Sequence, residues 1–157
     1  MANGGVKVKP VAITKIVDRN GQVVEENSTE EQRVVDPKYA YVITNMLESV
    51  MSGGTGGGAS IGRPAAGKTG TTDESKDAWF VGYTPDLVAA VWMGDDYGIE
   101  TLDGITGGTV PAVIWRDFMS QALNAMEIPP VISQFRREQH LLLTRLCAGG
   151  SKGRSES

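Results

Sequence analysis

Residues 62–72 read Gly62-Arg63-Pro64-Ala65-Ala66-Gly67-Lys68-Thr69-Gly70-Thr71-Thr72, and the chain continues through Asp77-Ala78-Trp79-Phe80-Val81-Gly82-Tyr83-Thr84-Pro85-Asp86 into the apolar run 87–93. The runs 78–84 and 87–93 are joined only by Pro85-Asp86, too few residues for a crossover, so they are expected as antiparallel neighbours in a hairpin. Both are apolar on both faces, as in central strands covered by helices on each side, and Trp79, Phe80, Tyr83 and Trp92 are read as core. The stretch 66–72 is expected as a further strand. If it is extended, Lys68 and Gly70 point one way while Thr69 and Thr71 point the other, and a ligand touching both sets must lie along the strand's edge. Such an edge offers free N–H and C=O groups to an extended peptide, and Gly70 removes a side chain that would obstruct it. Lys68 supplies a point charge, and Thr69 and Thr71 supply hydroxyl donors for a carboxylate. The surface suits a peptide with an acidic end.

Working outward, Asp36-Pro37 is a helix start, a capping residue followed by a proline suited to the first helical turn. Tyr39, Val42, Ile43, Met46, Leu47 and Val50 recur at helical spacing, which predicts a helix over 37–51 with that stripe in the core, stopped by Gly53-Gly54. The loop 52–62 holds six glycines among eleven residues, a composition that predicts mobility or a plain linker. Thr106-Gly107-Gly108-Thr109 precedes a second predicted helix, 110–126, with Thr109 as its cap and Ile114, Trp115, Phe118, Ala122 and Met126 on the face toward the sheet. Near the start, 6–17 reads as extended, with Pro10 marking an edge position or a break. Asn20-Gly21 reads as a hairpin turn, both being residues that can take positive φ, returning along 22–25. The polar segment 26–33 is expected to be an exposed connector. Pro129-Pro130 ends regular structure. The remaining tail, 129–157, is expected to be disordered or to hold a short helix over 135–146, with its single histidine, His140, not serving as a base. The predicted fold class is α+β, an antiparallel β-sheet covered by helices.

The chain has 157 residues, 40% hydrophobic and 22% charged, enough for one domain with a core. Its net charge of −4 and sequence pI near 5.0 give no basic field to recruit nucleic acid or acidic membrane. A single cysteine, Cys147, excludes an internal disulfide and a multi-cysteine metal site. Asp95-Asp96 at a strand end is read as solvated, and neither a metal nor another cofactor is expected. No signal peptide or membrane anchor is legible in the 157 residues.

Residues 66–72 together with 77–85 resemble the transpeptidase domain of class A, bifunctional penicillin-binding proteins, and the likeness runs from about Ala2 to Met126. That family carries Ser-x-x-Lys, Ser-x-Asn and Lys-Thr-Gly motifs. Here Lys68-Thr69-Gly70 matches the third, reinforced by the Trp-Phe-Val-Gly-Tyr-Thr-Pro run 79–85 and by Thr106-Gly107-Gly108-Thr109. None of the ten serines begins Ser-x-x-Lys or Ser-x-Asn. The expectation is therefore the C-terminal part of a serine β-lactamase/transpeptidase-like fold, over 2–128, that starts downstream of its nucleophile and lacks the upstream half of its domain. What the resemblance implies is a peptidoglycan D,D-transpeptidase that cross-links stem peptides, located in the cell envelope outside the cytoplasmic membrane. Lys68 would then act on the absent Ser-x-Asn serine, and Thr69 and Thr71 would bind the terminal carboxylate of the stem peptide or of a β-lactam. Gly70 would keep the groove open, and the backbone N–H of Thr71 would form half of an oxyanion hole. The partners so implied are stem peptide, β-lactams and the upstream half of the domain. Alternatives are a fragment of a serine β-lactamase or a non-catalytic remnant acting as an interaction module.

A competing motif overlaps this one. Residues 62–69 match the phosphate loop G-x-x-x-x-G-K-[ST], which needs a buried strand before it and a helix opening directly after Lys-Thr. The glycine-rich loop on one side and Gly70-Thr71-Thr72 on the other are the wrong surroundings.

Overall fold

Among the described residues, turn residues and proline starts set off seven strands and two α-helices. The structure, a computed structural model, describes residues 1–98 and 100–129. The predicted helix over 135–146 and the tail residues His140 and Cys147 lie outside them.

The first 35 residues form an exposed, interrupted antiparallel ribbon. β1 (Val6–Val8) pairs with β4 (Glu31–Arg33), and β2 (Lys15–Val17) pairs with β3 (Val23–Glu26). Pro10 falls in the gap between β1 and β2, as its missing N–H requires. Part of the predicted connector 26–33 is thus a strand. Its Glu31-Gln32-Arg33 sequence carries no alternation because every side chain on it faces solvent. The expected hairpin turn at Asn20-Gly21 joins β2 to β3. Only Gly21 takes a positive φ, +81°, while the Asp18 carboxylate accepts hydrogen bonds from the backbone N–H groups of Asn20 and Gln22, both at 2.8 Å. The aspartate does locally what a second left-handed residue would otherwise do.

α1 (Pro37–Gly53) starts where the sequence places it, with the Asp36 carboxylate accepting from Lys38 N–H at 3.0 Å. Its buried face is Ala40, Thr44 and Met51, whereas Tyr39, Val42, Ile43 and Met46 of the predicted core stripe are exposed. The helix lies against β5 (Ala66–Thr71), and small side chains permit the close approach. The Thr44 hydroxyl shares a 2.9 Å hydrogen bond with the Tyr83 hydroxyl, satisfying both inside the protein.

The main sheet runs β5-β6-β7, all antiparallel, with β6 at Asp77–Tyr83 and β7 at Val88–Gly94. The expected hairpin holds, with Tyr83 opposite Val88 and the Thr84 hydroxyl accepting from the N–H groups of Asp86 and Leu87. α2 (Val110–Ala125) covers one face. Trp115, Met119, Leu123 and Ala112 are fully buried against Phe80, whose ring centroid lies 5.3 Å from that of Trp115. Burying a ring such as Phe80 is worth about 2–3 kcal/mol. Trp115 Nε1 donates to the carbonyls of Ala89 (3.1 Å) and Gly82 (3.3 Å), which fixes the helix over β6 and β7. The helix packs through Pro111, Ala112, Trp115, Met119 and Leu123. Of the predicted face, Ile114, Phe118 and Met126 are exposed. Thr109 stands at the N-cap position as expected, but its hydroxyl makes no cap bond and instead closes a turn with Thr106.

Among the described residues, the opposite face of the sheet is covered at one end, where α1 reaches Ala66 and Tyr83, and is bare over the rest. Trp79 is 43% exposed and Trp92 40%, with Val81 and Val88 beside them, so of the four aromatics expected in the core only Phe80 and Tyr83 are there. Among the described helices α2 covers one face and α1 reaches only one end of the other, short of the coverage expected on both, and Trp92 satisfies its indole N–H with the Asp77 carboxylate at 2.9 Å.

Candidate functional site

Among the described residues β5 is an edge strand, paired only with β6. Which of its backbone groups are free follows from the ladder. Thr72 N–H donates to the Asp77 carbonyl at 3.1 Å, so in the register Gly70↔Trp79 and Lys68↔Val81 the even-numbered residues bond to β6. The N–H and C=O groups of Thr69 and Thr71 therefore point out along the open edge. The side-chain alternation also follows the expected pattern. Thr69 and Thr71 share the α2 face with Phe80, while Lys68 and Gly70 share the bare face with Trp79.

Two loops from distant parts of the chain close over this strand. From the segment after α1, the Thr55 hydroxyl reaches the Thr69 hydroxyl at 2.9 Å. From the segment before α2, Gly107 N–H donates to Thr71 Oγ1 at 3.2 Å. Gly107 lies so close to the ladder that a Cβ there would stand 2.1 Å from the Trp79 carbonyl oxygen, and one on Gly108 would stand 2.2 Å from that of Thr55. Only glycine admits this stacking of backbone on backbone. Ala59, within the 3-10 turn Gly57–Ala59, is fully buried in the core cluster, so the glycine-rich loop is packed onto the site's support rather than being a plain linker.

Lys68 is exposed. Its Nζ donates to the Thr69 carbonyl at 2.7 Å and lies 3.4 Å from Thr69 Oγ1. The arrangement brings together a cation, two hydroxyls and outward backbone N–H groups within one strand. The cation and the hydroxyl donors suit an anionic group, and the outward N–H and C=O groups suit an extended backbone beside it. Sequence reasoning found Lys68, Thr69, Gly70 and Thr71 but missed Thr55 and Gly107. The available signals were a threonine flanked by glycines at 54 and 56 and the Gly107-Gly108 pair. The phosphate-loop reading fails here, because Gly67, Lys68 and Thr69 lie within a β-strand that continues to Thr71 and turns into antiparallel β6. Among the described residues no cluster of His, Cys, Asp or Glu is arranged to hold a metal, and no helix is long and apolar enough to cross a membrane.

The fold and this edge define an α+β unit with an antiparallel sheet whose β5 edge is open. The chain belongs to the penicillin binding protein transpeptidase domain family, whose profile matches residues 1–119. It is 38% identical over 156 residues to penicillin-binding protein 1A of Aquifex aeolicus, and 39% identical over 136 residues to that of Neisseria gonorrhoeae. Those matches take in 94% and 80% of this chain but only 22% and 17% of the relatives. Among solved structures it superposes on the D,D-transpeptidase domain of a peptidoglycan glycosyltransferase from Eggerthella lenta with a TM-score of 0.66 at 27% identity. That superposition covers 82% of this chain and 30% of the other. Penicillin-binding protein 1A from Haemophilus influenzae gives a TM-score of 0.68 at 24% identity, over 78% of this chain and 24% of that one, a likeness of fold.

Proposed function

We propose that this chain supplies the carboxylate-binding edge of a peptidoglycan D,D-transpeptidase that also binds β-lactams, with residues 2–128 as the functional unit. The observation that carries the reading is the conjunction on one open strand of Lys68, the Thr69 and Thr71 hydroxyls and the outward N–H of Thr71. Thr69 and Thr71 receive the terminal carboxylate of the stem peptide, and the missing side chain at Gly70 leaves the peptide room. The Thr71 N–H stabilises the oxyanion of the tetrahedral intermediate, and Lys68 supplies positive charge beside it. The acylated serine in this reaction belongs to a Ser-x-x-Lys segment, which none of the serines in these 157 residues begins. The work of the whole is placed in the cell envelope, outside the cytoplasmic membrane. Compared with a β-lactamase or a non-catalytic module, the transpeptidase reading is favoured by the relatives, which carry the name penicillin-binding protein 1A.

The test joins this chain to the remaining transpeptidase segment of the Aquifex aeolicus relative and follows acylation by a labelled penicillin. Lys68→Ala and Thr71→Ala are each expected to slow acylation by about 10²-fold or more, the loss typical of removing a transition-state contact. Acylation at the parent rate in both variants would remove these residues from the site. The isolated 157-residue chain is expected to form no covalent adduct.

A further inference from the structure

Thr55 is not on the strand, yet its hydroxyl touches one of the two hydroxyls that the proposed function assigns to the carboxylate. The hydrogen-bond inventory around Thr69 and Thr71 gives it a task. A threonine hydroxyl has one hydrogen to donate and lone pairs to accept, whereas a carboxylate only accepts. For Thr71 the matter is settled from behind, because Gly107 N–H can only donate, so Thr71 Oγ1 accepts and its hydrogen remains for a ligand. For Thr69, Lys68 Nζ at 3.4 Å likewise only donates, and the Thr55 hydroxyl at 2.9 Å is the one neighbour able to work in either direction. If Thr55 accepts, the Thr69 hydrogen is consumed internally. If Thr55 donates, the Thr69 oxygen is filled from behind and its hydrogen points outward.

Resting on the transpeptidase reading above, we propose that Thr55 is a positioning residue that donates to Thr69 Oγ1 when an anion arrives, so that both threonines present hydrogens to the same carboxylate. Its placement is rigid. The Thr55 carbonyl is the backbone atom on which Gly108 rests, a Cβ at that glycine falling only 2.2 Å from it, and a Cβ at neighbouring Gly56 would stand 3.3 Å from the Phe80 ring. Thr55 is thereby held between the loop that orients Thr71 and the core beneath the strand. The residue acts on the ligand through Thr69 and touches no reacting atom. Its effect is on selectivity for a carboxylate over a neutral end group.

The experiment uses the whole 157-residue chain immobilised for surface plasmon resonance, with N-acetyl-D-alanyl-D-alanine and its C-terminal amide as probes. The parent is expected to favour the carboxylate. Thr55→Val is expected to reduce that preference by about three- to tenfold, the scale of one oriented hydrogen bond, chiefly by weakening carboxylate binding. Thr55→Ser, which keeps the hydroxyl, is expected to retain the preference. Thr55→Val with an undiminished preference overturns the role of Thr55 and leaves the transpeptidase reading standing. Equal weakening of both probes also overturns it, since that is the mark of a merely structural residue. A parent chain with no preference for the carboxylate overturns the reading of the site itself, and this proposal with it.

Discussion

Replacing Gly107 by alanine tests how the site is held together. The new Cβ would lie 2.1 Å from the Trp79 carbonyl oxygen, 2.7 Å from the Gly70 oxygen and 2.9 Å from the Gly70 nitrogen. All three obstacles are backbone atoms of the β5–β6 ladder, so no side chain can swing aside. The loop must instead lift by roughly 1 Å to reach an ordinary contact. Overpacking of this kind costs about 1–3 kcal/mol. Lifting the loop also breaks the Gly107 N–H bond to Thr71, a further loss of about 0.5–1.5 kcal/mol. The sum, roughly 2–4 kcal/mol, corresponds in a chain of this size to a fall in Tm of about 5–15 °C. Circular dichroism melting of the variant and parent reads this directly. Gly57→Ala is the control, since nothing lies within 4 Å of a Cβ there and its φ is not positive; its Tm is expected to stay within about 2 °C. A Gly107→Ala protein melting within about 1 °C of the parent would show that the loop does not rest on the ladder, and the account of the site would fail.

Two further expectations concern the sheet and its flank. With Trp79, Val81, Val88 and Trp92 bare on one face, the isolated chain should self-associate at micromolar concentration, and Trp79→Lys should shift its elution toward the monomer. Size-exclusion chromatography showing a monomer throughout, with strong amide protection over 78–93, would contradict this. Burial raises the Tyr83 pKa above its ordinary value of 10.0, helped by the Glu48 carboxylate and opposed by the hydrogen bond with Thr44. The unfolded chain therefore loses this proton first. The stability involved is complete below pH 10 and is lost as pH climbs through the folded value. Urea unfolding between pH 9 and about 11.5 should show a decline that is shallower in Tyr83→Phe; equal slopes in the two proteins would assign the decline to other groups.

The elements that announce themselves chemically were legible in the sequence. Asp36-Pro37 marked the start of α1, Pro85-Asp86 forced the hairpin, and Lys68 to Thr71 could be recognised as an edge-strand surface before any coordinates. Helix faces were harder to read because both helices carry apolar residues all round. In α1 the long side chains Tyr39, Val42 and Met46 make the stronger periodic signal, yet Ala40 and Thr44 are the residues small enough to lie against β5. In α2 the same ambiguity placed Ile114 and Phe118 where Met119 and Leu123 belong. β4 was missed because a strand exposed on every side chain leaves no hydrophobic imprint. The contribution of Thr55 was hidden for another reason. Its meaning lies in a contact with a residue fourteen positions away, and no local pattern encodes it.

That dispersal has a consequence for how the chain reaches its native state. The bonds that finish the strand edge link partners 14 and 36 residues apart, and the longer one encloses the whole β6–β7 hairpin in its loop. Early, local structure can supply β5 as a strand, but the oriented hydroxyls arise with the last long-range closures. A ligand that requires those hydroxyls thus selects chains that have completed assembly and draws the folding equilibrium toward them by mass action.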